Sequence, residues 1–268
     1  MIQSRDFLGR GLALLATALF AALASIAAPV CGQGAYRAEE YLLLPVRFHL
    51  LRASHVSELT SHLQFADVRR ILGEINRIWR PAGVQFFAES LLHEPVAAEE
   101  LFHMFQGEAD EAQLRVVRPG NSRSDRMIHV YFIHSMRPNG VTLNYQMVFV
   151  RDRAELDTVP GGTHEPLARV TAHEFGHALD LDHTPDRSGL MASGTTGTHL
   201  SSAEISVARK AAAGMAWHLD PAGLLALADE RAAGDPVAAA DGYRLLAALP
   251  DGPITQAARD RLAKLSRP

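Results

Sequence analysis

The segment His173-Glu174-Phe175-Gly176-His177-Ala178-Leu179-Asp180-Leu181-Asp182-His183 constrains this chain more than any other stretch. Two histidines four residues apart on a helix lie only about 40° apart around its axis, one turn above the other, so both imidazoles reach a single ion. Leu167, Val170, Thr171, Phe175, Ala178 and Leu179 fall on the opposite flank. The pattern predicts a helix from about Pro166 to Leu179, with proline suited to its first turn, seated on a sheet by its apolar flank while the histidines face outward. A straight continuation would carry His183 away from the pair, so the chain must turn sharply near Asp180. Three neutral imidazoles leave one tetrahedral position open, as in catalytic rather than closed structural zinc sites. Glu174, about 100° around the helix from His173, is placed to take a proton from water at that position.

Upstream, the hydrophobic pattern alternates between strands and helices. Residues 45–53 read as a first strand. From Val68, the residues Ile71, Leu72, Ile75, Ile78 and Trp79 recur at helical spacing until Pro81-Ala82-Gly83 stops them, and Val84 to Ala88 reads as a short strand. Strand, helix, strand favours a parallel pair joined by a crossover helix. Residues 91–126 are irregular, with a short helix expected near Ala98 to Phe105. The run Ile128-His129-Val130-Tyr131-Phe132-Ile133 suits a strand buried on both faces. After the turn signal Pro138-Asn139-Gly140 come an edge strand at Val141 to Tyr145 and a further core strand at Met147 to Val150. Ser201 and Glu204 form a capping box that starts another helix. Breaks at Gly234-Asp235-Pro236 and Pro250-Asp251-Gly252-Pro253 divide the tail into two or three short helices.

The zinc segment resembles the extended motif H-E-x-x-H-x-x-G-x-x-H of metzincin peptidases, matrixins especially. The family also has a methionine turn beneath its metal, and Gly189-Leu190-Met191-Ala192 lies where a matrixin-like chain would carry it. The resemblance implies an α/β (α+β) catalytic domain with a twisted mixed sheet of about five strands, a zinc-site helix, a methionine turn and a C-terminal helical appendage. It also implies Zn2+ on His173, His177 and His183, Glu174 as the catalytic base, Met191 as a hydrophobic floor, and residues 192–199 as one wall of the substrate pocket. Asp180 stands where the family has glycine; aspartate is among the residues most tolerant of the left-handed region. No tyrosine follows Met191 closely, so the extra tyrosine ligand of astacin-like and serralysin-like enzymes is not expected. The implied activity is a zinc metalloendopeptidase acting on peptide or protein substrates. The alternative is a secreted, non-catalytic binding domain braced by zinc.

Residues 1–28 set Arg5 and Arg10 before an Ala/Leu run that ends in small residues, the layout of a secretory signal peptide. If it stays uncleaved, the run is almost long enough to anchor the chain in a membrane. The reading is therefore signal 1–28, metallopeptidase domain 36–218 and helical appendage 219–268, secreted or periplasmic. With Cys31 the only cysteine, no intrachain disulfide can form. That cysteine reads as the edge of the signal; comparing Pro29-Val30-Cys31-Gly32 with the cysteine switch of some zymogens leaves a latency role open. A net charge of −4 with scattered basic residues argues against a nucleic-acid partner. Asp182 is a candidate acceptor for a ligand imidazole, although a solvated carboxylate fits it equally. His129 and His134 read as core or surface groups, and His164-Glu165 lacks a partner at metal-binding spacing.

Overall fold

Seven apolar residues and a proline in the 11-residue stretch from Leu42 leave few positions that tolerate water, and this stretch forms a largely buried strand of a mixed sheet, β1 (Leu42–Arg52). The computed structural model describes residues 36–104, 111–120 and 124–265. The segment 1–28 and Cys31 lie outside the described residues. β1 is followed by α1 (Phe65–Trp79) and by β2 (Val84–Pro95), which pairs with β1 in parallel. After α2 (Glu111–Val117) come β3 (Ile128–Ile133), β4 (Gly140–Asn144) and β5 (Met147–Arg151). The sheet order is β2-β1-β3-β5-β4, parallel throughout except for β4, an edge strand antiparallel to β5. Helices α3 (Pro166–Ala178) and α4 (Ser202–Gly214) follow. The chain then forms three further helices, α5 (Pro221–Arg231), α6 (Pro236–Ala247) and α7 (Pro253–Leu265). The fold is thus mixed α/β, with a five-stranded mixed sheet and seven helices among the described residues.

Alternation along the strands divides the core. Leu44, Val46, Phe48 and Leu50 of β1 point to one face, where Ile71, Ile75 and Trp79 of α1 and Phe175 of α3 pack on them. The Trp79 indole N–H donates to Ala172 O at 3.2 Å, locking α1 to α3. Leu43 and Phe87 lie in a second cluster, capped by Leu224 of α5 and Tyr243 and Leu246 of α6. A third cluster joins Leu51, Tyr131 and Phe149 to Leu114 and Val117 of α2. The tail is stitched to the sheet by an antiparallel bridge between Leu43 and Leu219 and by the Arg69–Asp241 ion pair at 2.7 Å.

Three expectations change. β2 does not stop at Ala88: a register shift opposite Val46/Arg47 passes over Glu89, and pairing resumes to Pro95. β2 is the edge strand throughout, and its far half is only partly buried, so polar residues are tolerated there and the apolar signal faded before the strand did. The helix expected near 98–105 is a 3-10 turn, Glu99–Met104, and α2 follows it. The zinc-segment helix α3 is buried almost all round, His173 and Glu174 included, rather than seated on one apolar flank. The loop around Met191 and the edge strand β4 roof the side expected to face outward. No helix of the described residues is long and apolar enough to cross a membrane.

Candidate metal centre

Helix α3 ends in a tight reversal that carries its partners back. Leu181 N–H donates to Gly176 O at 2.9 Å and Asp180 N–H to His177 O at 3.2 Å, the paired bonds of a Schellman cap. The cap needs a left-handed residue at Asp180, whose φ is +62°. Aspartate adopts that region at modest cost, so its place in the glycine position leaves the turn intact. Two residues beyond Leu181, the chain has reversed enough to bring His183 over the helix.

His173, His177 and His183 converge: their three Nε2 atoms lie 3.2 Å from one another in every pair. The His173–His177 contact is not an ordinary hydrogen bond. His173 Nδ1 faces Leu190 O at 2.8 Å and His177 Nδ1 faces Leu181 O at 2.8 Å, and a carbonyl accepts only from a protonated nitrogen. Each of these two rings therefore carries its proton on Nδ1 and turns an Nε2 lone pair inward, and carbonyl acceptors of this kind orient metal-binding imidazoles. Inward lone pairs at 3.2 Å repel unless a cation lies among them. Donors on a tetrahedral zinc with bonds of about 2.0–2.1 Å stand about 3.3 Å apart, so the triad fits that ion. Burial pushes the pKa of His173 down to about 3 and lowers that of His177, which keeps both rings neutral as ligands.

Glu174 is 5% exposed and lies against the edge strand. The Thr142 hydroxyl donates to its Oε2 at 2.8 Å, and Gly140 runs so close that an added Cβ would stand 2.8 Å from Glu174 Cγ and Oε1. Burial raises the carboxyl pKa to about 7, against the opposing pull of the Thr142 bond and the Arg169 charge. Arg169, one turn before His173 and 2% exposed, donates to Gly197 O at 3.1 Å and to Ala192 O, bracing the methionine loop. Burial brings its own pKa down to about 10. Met191 is fully buried, and its Sδ lies where a Cβ on Gly176 would come within 2.3 Å, so a larger residue at 176 would force the methionine to shift. A cleft of about 680 Å3 runs past Glu174 between the edge strand and Ser193-Gly194.

The structure brings His173, His177 and His183 together and sets Glu174 and Met191 beside them. Asp182 does not orient a ligand: it is exposed, and the Leu181 carbonyl takes the His177 Nδ1 proton instead. His164 is exposed and outside the triad, and Glu165 is in an ion pair with Arg70. Gly140, Thr142 and Arg169 were not anticipated. The first two approach Glu174 across more than thirty residues of chain with no local signal; the third was legible only as a charge at a buried helical position.

No family model and no curated protein matches this chain. Among solved structures, archaemetzincin from Methanopyrus kandleri aligns with 63% of this chain and 94% of its own, at 15% identity and a TM-score of 0.42. At that distance the likeness carries no argument about the site, whose chemistry follows from its own atoms.

Proposed function

We propose that this chain is an exported zinc metalloendopeptidase of metzincin type, matrixin-like in its zinc segment, with residues 36–218 as the catalytic domain and 219–268 as a helical appendage. The observation that carries the reading is the 3.2 Å triangle of Nε2 atoms with two of its Nδ1 protons already committed to carbonyls. His173, His177 and His183 would hold the ion. When bound, zinc lowers the pKa of water towards about 7 and polarises a carbonyl oxygen, the two demands of peptide hydrolysis. Glu174 takes one proton from the attacking water and returns it to the departing amine. A carboxyl with its pKa raised by burial to about 7 is suited to both halves of that exchange. Thr142 and Gly140 hold the carboxylate in place from the edge strand. No strand lies beyond that edge among the described residues, so its backbone offers an extended peptide hydrogen bonds beside the cleft. Residues 192–199 would wall the pocket for the side chain after the cut.

The test is digestion of a peptide library by wild-type protein and by Glu174→Gln, with zinc content measured in both. Chelator-sensitive cleavage should fall by about 10²–10⁴-fold in the variant, the usual worth of a general acid–base, while zinc stays bound. Wild-type-level cleavage by the variant would refute the assigned base. Stoichiometric zinc with no cleavage by wild type would point instead to a zinc-braced binding domain.

A further inference from the structure

We propose that His62, His134 and Asp152 form a second site, for a divalent transition metal of the zinc type, at the carboxyl end of the parallel strands. None of the three lines the cleft beside Glu174. Each offers one donor atom, and the three donors lie within 4.8 Å of one another.

The fold brings them together for simple reasons. β3 and β5 are parallel neighbours, so the residues that leave their carboxyl ends emerge side by side: His134 directly after Ile133, and Asp152 directly after Arg151. The Asp152 N–H donates to Ile133 O at 2.8 Å, which extends the ladder by one step. Ser61 N–H donates to Leu51 O at 2.9 Å, folding the link before α1 back over the end of β1 and setting His62 against the other two. The carboxylate is already aimed: Ser61 Oγ donates to Asp152 Oδ1 at 2.9 Å, and the His62 backbone N–H donates to Oδ2.

Two features favour a cation there. The His62 and His134 rings lie with centroids 4.1 Å apart, and His134 Nδ1 is buried with no hydrogen-bond partner. A buried polar atom left unpaired costs roughly 1–3 kcal/mol, so such atoms call for a missing ligand. Two imidazole nitrogens and one carboxylate oxygen suit zinc or its transition-metal neighbours, whereas calcium and magnesium prefer sets composed of oxygen. His62 is exposed, so its ring can swing to close the donors towards the ~3.3 Å spacing of a tetrahedral ion, with water completing the shell. The ion would tie the link before α1 to the loop that runs from β3 to the edge strand, whose Gly140 and Thr142 abut Glu174.

The experiment uses the full chain stripped with chelator, reloaded with zinc alone, desalted and assayed for bound metal by mass spectrometry. His62→Ala is the variant of choice, because the ring is exposed and has no hydrogen bond among the described residues. Wild type should retain one zinc equivalent more than His62→Ala, and His134→Gln should match His62→Ala. Zinc should also raise the melting temperature of wild type more than that of either variant. Equal zinc content in wild type and His62→Ala would overturn the proposal. The reading is a difference between chains that share the histidine triad, so failure of the peptidase assignment leaves it unaffected.

Discussion

Lowering the pH from 7.5 to 5.0 should cost this fold about 2 kcal/mol at a single buried histidine, His129. Its ring meets His49 at 2.9 Å between Nδ1 and Nε2 and lies beside Ser124 O at 2.9 Å. Desolvation by burial brings its pKa from 6.5 to about 4, with Arg47, Arg118 and His49 opposing further positive charge and the Ser124 carbonyl opposing the shift. His49 is lowered too, first by burial, against the pull of the Glu94 carboxylate. In the unfolded chain His129 takes a proton near pH 6.5, while in the folded chain it resists until about pH 4. Between those values the unfolded state binds more protons, so stability is complete above pH 6.5 and drains away as pH falls. The full difference approaches about 3 kcal/mol, and about 2 kcal/mol of it is lost by pH 5.0. Urea unfolding of wild type and His129→Gln at both pH values measures the effect of this histidine together with its contact to His49. The stability gap between wild type and variant should shrink by about 2 kcal/mol at pH 5.0. A gap unchanged with pH would refute the claim that burial keeps this histidine neutral.

Gly140→Ala should displace the Glu174 carboxylate, because the new Cβ would stand 2.8 Å from its Cγ and Oε1. Peptide turnover is expected to fall by about 10²-fold with zinc content unchanged, and full activity would show that this close approach is immaterial. Asp180→Val places a β-branched residue at φ +62° and should cost about 1–2 kcal/mol in thermal or urea unfolding. Asp180→Gly should stay within about 1 kcal/mol of wild type.

The histidine segment was legible because its chemistry is local: eleven residues specify two imidazoles one helical turn apart, a cap and a returning third ring. Asp180 could be read as a left-handed turn residue without a structure, since few other side chains tolerate that backbone. The buried strands were equally plain, because apolar runs such as Ile128 to Ile133 have no alternative that hides them. What escaped was non-local. β2 beyond Glu89 carries polar residues that only an edge position explains, and α3 looks amphipathic until the methionine loop closes over it. Thr142 and Gly140 owe their roles to the meeting of an edge strand with a helix, which no spacing rule encodes. The same holds for His62, His134 and Asp152, spread across ninety residues and joined only by the ends of neighbouring strands.

X-ray absorption at the zinc edge tests the central claim most directly, applied to His62→Ala so that the histidine triad is the site observed. The account predicts three imidazole nitrogens and one exchangeable oxygen at about 2.0–2.1 Å. A sphere filled by four protein donors, or zinc that remains bound after His173 and His177 are both replaced, would contradict it.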